Sequence, residues 1–255
     1  MPSADLEEES PLRMSARSIG LVVAMSAEAR ALTGRVQPLE QVVKIAESVY
    51  LHVGGVGGRA AERSCAALVE AGAGALVSVG CAAGLAPECR PGAVVVPAKV
   101  RSAQRELFAV DVEWRTALLA ALESRFRPFL GDIVSVERVI GSTEKHVLRE
   151  TAGTVAADME SVAVAREARR FDLPMIAIRV VSDGVDDDIP EALLVAVDAF
   201  GRPRLRSILD SVIERPGDAA SFLRLRKGLK KACNTLSQVA ANTGPTFCWP
   251  GTAVG

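Results

Sequence analysis

Aromatic residues are scarce, at 4% of 255 residues with a single tyrosine, which excludes a stacking platform for single-stranded nucleic acid. Excess charge is missing as well. Thirty basic against thirty-one acidic residues leave a net charge of −1, with no global field to attract nucleic acid or an acidic membrane. The five cysteines (Cys65, Cys81, Cys89, Cys233, Cys248) are odd in number and scattered, with no C-x-x-C pair. That argues against a disulfide framework or a metal site and suits a reducing cytoplasm. No run approaches the ~20 apolar residues of a membrane-spanning helix. Acidic Asp5, Glu7, Glu8 and Glu9 precede any apolar run, the reverse of a secretory signal, so residues 1–17 read as a disordered lead-in. His52 and His146 are the only histidines and no G-x-S-x-G elbow is present, which disfavours a triad hydrolase. No internal repeat or central linker stands out.

What remains is a chain that is 49% hydrophobic and long enough for one large α/β domain, read here as residues 18–215. Residues 18–24, 42–45, 49–53, 75–79, 93–96 and 133–140 read as strands from their apolar, β-branched character. Residues 175–181 (MIAIRVV) form a nearly unbroken apolar run, which predicts a central strand buried on both faces. Helices are expected at 27–32, 59–71, 112–124 and 160–170, and two or three more fill the remainder. This alternation predicts a three-layer α/β/α sandwich around a mixed, mostly parallel sheet.

Three acidic segments sit where such strands end. Asp183 follows the 175–181 run, and ligand crevices of open α/β sheets lie outside the carboxyl ends of strands. Taken alone, Asp183 reads more simply as a turn or helix cap. Asp158 and Glu160 flank Met159 where a strand gives way to a helix, and their plainer reading is helix N-terminal charge. Because they alternate about Met159, one of the two is expected to face the crevice. Glu28 follows the first strand in the segment Ala24-Met25-Ser26-Ala27-Glu28, with the first helical turn as its plain reading. Two glycine-rich segments, 54–58 and 80–84, read as turns whose backbone N–H groups can approach a ligand. The first is not a dinucleotide loop, because Ala60 stands where the last glycine of G-x-G-x-x-G is required.

Taken in order, IGLVVAMSAE (19–28), GGVGGRAA (54–61), VGCAAGL (79–85), PGAVVV (91–96), ADMESVAVA (157–165) and PMIAIRVVSDG (174–184) resemble the purine nucleoside phosphorylase and methylthioadenosine/S-adenosylhomocysteine nucleosidase superfamily. The resemblance spans roughly residues 18–200. It implies that Asp183 protonates N7 of the leaving purine and that Glu28 activates the attacking water. It implies that Glu160 binds ribose hydroxyls, Met159 packs on the sugar, and Val139 and Ile140 meet the base. Cys81 and Ala82 fall in the segment beside the ligand, and Arg179 and Ser182 are expected to orient Asp183. An aspartate at N7 suits a 6-aminopurine. The chemistry is that of glycoside cleavage: one carboxyl group protonates the leaving group and another activates water. It needs Asp183 protonated near neutral pH, through burial or the proximity of Glu160. The family also implies a homo-oligomer whose neighbouring subunit helps close the site. No cofactor or metal is expected, and inorganic phosphate is the candidate co-substrate of a phosphorylase.

The sequence departs from both subfamilies. No arginine stands in Leu76-Val77-Ser78-Val79-Gly80-Cys81, where phosphorylases hold phosphate, which leaves Arg30 or Arg59 as phosphate ligands. Cys81 and Ala83 replace a serine and a glycine of the nucleosidase pattern. Beyond the domain, residues 216–240 carry Phe222, Leu225, Leu229, Cys233, Leu236 and Val239 at helical spacing. Arg224, Arg226, Lys227, Lys230 and Lys231 lie among them, with no acidic residue. This basic amphipathic helix reads either as packed on the body with a solvated basic face or as a contact to an anionic membrane or lipid-like substrate. With this tail the chain resembles hopanoid-associated phosphorylases, which implies adenine release from adenosylhopane and a cytoplasmic enzyme working at the inner membrane surface. The alternative is a general methylthioadenosine/S-adenosylhomocysteine nucleosidase, for which the helix should be dispensable. A non-catalytic nucleoside-binding module is the remote third reading. Residues 241–255 are expected to be irregular and disordered.

Overall fold

The computed structural model describes residues 18–190, 197–202 and 219–252. The lead-in at 1–17, the domain boundary placed at 215/216 and residues 253–255 lie outside the described residues.

In chain order the elements are β1 (Ile19–Val23), α1 (Ser26–Thr33), β2 (Val42–Ala46), β3 (Val49–Val53), α2 (Gly58–Glu70) and β4 (Ala75–Gly84). They continue with β5 (Val94–Val95), β6 (Lys99–Ser102), β7 (Leu107–Ala109), α3 (Val112–Phe126), β8 (Ile133–Ser135) and α4 (Ser142–Ala152). The last are β9 (Ala156–Asp158), α5 (Ser161–Arg170), β10 (Met175–Asp183) and α6 (Ala219–Thr243). The strands form one mixed sheet in the order β2-β3-β1-β4-β9-β8-β6-β7, with β10 paired to β4 and β5. β3, β1, β4 and β10 run parallel to one another, as do β6, β8 and β9. Antiparallel pairs join β2 to β3, β4 to β9, β5 to β10 and β6 to β7.

Strand side chains alternate between two cores, as the pleat requires. On β1, Ile19, Leu21 and Val23 join α1, α3 and α6 residues such as Ala29, Trp114, Leu118, Leu236 and Val239. Val22, Leu76 and Val181 join the opposite core with Cys65 and Leu68 of α2 and Val162 and Val164 of α5. Both faces of the central sheet are therefore covered, and for that reason β1 reads as a continuous apolar run and β3 and β10 as runs interrupted only by His52, Arg179 and the last two residues of β10.

Three local expectations need correcting. Residues 80–84 do not form a turn: β4 continues to Gly84, paired along Gly80–Ala83 with β10 and through Ala83 and Gly84 with β9. Its glycines serve close packing instead. A Cβ on Gly80 would lie 2.6 Å from Glu28 Oε1, and one on Gly84 would lie 2.2 Å from the Cys89 carbonyl oxygen. The strand expected over 133–140 stops at Ser135. Val136 N–H still donates to the Asp158 carbonyl, after which the chain leaves the sheet. Finally, the tail is not disordered through 252. Phe247 is buried, Trp114 Nε1 donates to its carbonyl at 2.7 Å, and the Trp249 ring packs on Trp114 with centroids 4.4 Å apart.

Helix α6 belongs to the core. Gly228, Ala232, Leu236, Val239 and Thr243 are buried at three- and four-residue spacing, while Arg224, Arg226, Lys227, Lys230 and Lys231 are exposed. At Gly228 the backbones touch: an added Cβ would lie 2.0 Å from the Ser182 carbonyl oxygen. The end of β10 therefore rests on this helix. The apolar side is occupied by the body of the protein, leaving the basic side to solvent.

Candidate active site

Glu28, Glu160 and Asp183 meet at one pocket of about 190 Å³ at the carboxyl ends of the central strands. Met159, Cys81, Ala82, Val139, Ile140 and Ser182 line the same pocket, whereas Arg179 and the candidate phosphate ligands Arg30 and Arg59 do not. Asp158, Met25, Val56 and Arg138 also contribute to its wall.

Glu28 is placed by the β1-to-α1 turn. It is the third residue of α1 and reaches back over the helix N-terminus, where free N–H groups attract carboxylates. Oε2 accepts from Met25 N–H at 2.8 Å and Oε1 from Cys81 N–H at 2.6 Å. Burial raises its pKa above the ordinary 4.5, against the lowering effect of the two amides.

Glu160 sits in the turn between β9 and α5. Oε1 accepts from Gly57 N–H at 2.8 Å and Oε2 from Met159 N–H at 3.3 Å. The glycine-rich turn at 54–58 thus serves the site through one amide, with Gly57 at φ 100°, a region glycine alone enters readily. Burial, then the nearby Asp158 carboxylate, push the Glu160 carboxyl up to about 7. Of the two acids flanking Met159, Asp158 carries the structural load. Its Oδ2 accepts from Arg179 Nε at 2.7 Å and its Oδ1 from Ser135 Oγ at 2.5 Å.

Arg179 therefore orients Asp158 and not Asp183. Its guanidinium is buried and also donates to Ser78 Oγ at 2.6 Å and Ser161 Oγ at 3.0 Å. Position along β10 explains the difference: Arg179 pairs with Gly80, whereas Asp183 lies four positions further on, past a register shift between Val181 and Asp183, and pairs with Ala83. Ser182 does hold Asp183, with Oγ 2.7 Å from Oδ1. Asp183 is the last residue of β10 and not a turn residue beyond it. Its Oδ2 accepts from the ammonium of Lys145 at 2.6 Å, and Lys145 is fully buried.

Lys145 was not visible in the sequence. It lies on α4, whose cues were the bracketing Gly141 and Gly153 and a short amphipathic stretch between them. A lysine there reads as a solvated face, and only its tertiary partner makes it buried. Val139 and Ile140 line the pocket from the irregular segment after β8 and not from a strand. Cys81 Sγ remains a neutral thiol, its pKa raised well above the usual value by a hydrogen bond with Cys233 and by burial. The candidate phosphate ligands Arg30 and Arg59 are exposed and do not line the pocket. Arg138, which does, is held by Glu144 through contacts of 2.6 and 2.9 Å.

Comparison with known proteins places this geometry in context. Over 137 residues the chain is 27% identical to a 5′-methylthioadenosine/S-adenosylhomocysteine nucleosidase from Shewanella sediminis. That match covers 46% of this chain and 59% of the relative, so the chain spans about three-fifths of the relative's length. The fold is similar to that of the Neisseria meningitidis nucleosidase of the same name, solved with methylthio-immucillin-A. The TM-score is 0.65 at 19% identity, covering 89% of this chain and 97% of that one. Native futalosine hydrolase of Helicobacter pylori gives a TM-score of 0.65 at 13% identity, covering 91% and 98%. The sequence profile of the phosphorylase superfamily matches residues 18–214, and the chain belongs to that family.

Proposed function

We propose that this chain hydrolyses the N-glycosidic bond of a 5′-substituted adenosine and releases adenine. The observation that carries this reading is the convergence of Glu28, Glu160 and Asp183 on one pocket. Bond cleavage builds positive charge on C1′ and the ring oxygen and negative charge on the departing base. Asp183 at the base end delivers a proton to N7. Glu28 accepts the proton of the attacking water, and the burial that raises its pKa makes it a stronger base. Glu160 accepts from ribose hydroxyls, and Met159 packs on the sugar. Water is favoured over phosphate as nucleophile because, among the described residues, Arg138 is the one cationic residue lining the pocket and is engaged by Glu144. The likeness to nucleosidases that act on 5′-methylthioadenosine supports a 5′-thio substituent. A lipid-linked 5′ group such as hopane is the second reading, favoured by the exposed basic side of α6, which suits an anionic membrane surface.

The test is adenine release from methylthioadenosine and from adenosylhopane, each with and without phosphate. Phosphate-independent release from methylthioadenosine supports the reading. Release from the lipid substrate alone favours the second, and release from neither contradicts both.

A further inference from the structure

Behind Asp183, away from the pocket, the structure holds a cation that the reaction outlined above does not yet use. Lys145 is on α4, fully buried, and does not line the pocket. Its three ammonium hydrogens have three acceptors: Asp183 Oδ2 at 2.6 Å, the Gly184 carbonyl at 2.9 Å and the Asp187 carbonyl at 2.6 Å. A buried lysine is uncommon, and holding one charged is costly unless it is paired and fully hydrogen-bonded, as here. The surrounding loop is tied to the same helix. Asp188 Oδ1 accepts from Ser142 N–H at 2.6 Å, and His146 Nε2 lies 3.1 Å from Asp186 Oδ1. The other Asp183 oxygen meets Ser182 Oγ at 2.7 Å. An ammonium and a hydroxyl thus both donate to a group that must itself surrender a proton.

We propose that Lys145 is the proton reservoir for the leaving base, acting through Asp183 as a positioning residue. This rests on the reading that Asp183 protonates N7. As the C1′–N9 bond breaks, its electron pair goes to the base. An Nζ–H bond of Lys145 breaks as an O–H bond forms on Asp183, and that O–H breaks as N7–H forms. The water oxygen bonds to C1′, and its proton passes to Glu28. The cycle ends with Glu28 one proton richer and Lys145 one poorer, and exchange with solvent restores both after products leave. Substrate, water and products are all neutral, so charge is conserved across the site.

The test compares two leaving groups on the same 5′-methylthioribosyl unit: adenine, which needs the proton, and nitrophenolate, which departs as a stable anion without one. Lys145→Met is expected to slow adenine release by about 10²-fold or more while leaving nitrophenolate release near wild type, in keeping with the usual contribution of a proton donor. Lys145→Arg keeps the positive charge but places a group there that does not deprotonate in proteins, so it stays slow on adenine. Full adenine activity in Lys145→Arg would reduce the role to charge and overturn the proposal. Equal loss on both leaving groups would make Lys145 a structural prop and also overturn it. If the wild-type chain releases no adenine at all, the function itself fails. If it does and Lys145→Met is fully active, only this proposal fails.

Discussion

The two ends of the pocket hold the same kind of group in opposite company. On the proposed sugar side, Glu28 and Glu160 accept hydrogen bonds from backbone amides, and Glu28 also meets the Cys81 thiol. On the proposed base side, Asp183 has an ammonium on one oxygen and a hydroxyl at the other. Burial without a directly bonded cation raises the two glutamates, whereas the third carboxyl group is tied to a buried lysine. Residue type does not assign acid and base in this site; the immediate partners do. Arg179 sharpens the point. It is close enough to act electrostatically on both glutamates, yet it spends its hydrogen bonds on Asp158, two serines and the Ile178 carbonyl.

The strongest way to break the contrast is to remove each carboxyl function in turn. Asp183→Asn should lower the rate of adenine release by about 10²–10⁴-fold, and Glu28→Gln by a similar factor. Only Glu28→Gln should also slow release of a nitrophenyl leaving group, since only the water-activating step is shared. Steady-state rates on both substrates check this. Next in size, Gly80→Ala should cost on the order of 10²-fold. The new Cβ would lie 2.6 Å from Glu28 Oε1 and displace the carboxylate while the strand persists, which circular dichroism would show.

A smaller effect tests the proposed sugar side through stability. The folded-state pKa of Glu160 is raised from 4.5 to about 7, so the native state binds its proton more tightly than the unfolded chain does. That contribution is fully present below pH 4.5 and is lost as pH rises toward about 7. Glu160→Gln should therefore flatten the fall in stability across this window, as measured by urea unfolding at several pH values. An unchanged pH dependence would show that Glu160 is not proton-binding in the native state. Last, Gly228→Ala should destabilise the fold by about 1–3 kcal/mol by forcing α6 away from Ser182, read from the urea midpoint.

The same contrast explains what could be read in advance. Nearly unbroken apolar runs such as 175–181 announced the buried strands, and acids at their carboxyl ends announced the pocket, because both signals are local. Lys145 and Ser135 gave no such signal, since their significance arises from partners 38 and 23 residues away. Gly80 and Gly84 were legible as glycines but not as strand residues. Their role is to admit Glu28 and the Cys89 carbonyl, which only tertiary contact reveals. The helix at 219–243 illustrates the opposite error. Its periodicity was plain, but dispensability cannot separate the two substrate readings, because the helix supplies part of the core and backs the end of β10.

The central claim is that Glu28 delivers water to C1′ while the base end supplies a proton. The most direct measurement is adenine release from methylthioadenosine in heavy-oxygen water without phosphate, followed by mass analysis of the freed sugar. Incorporation of one heavy oxygen into the sugar, lost together with turnover in Glu28→Gln, is the predicted result. Release that requires phosphate and yields a sugar phosphate would contradict the account.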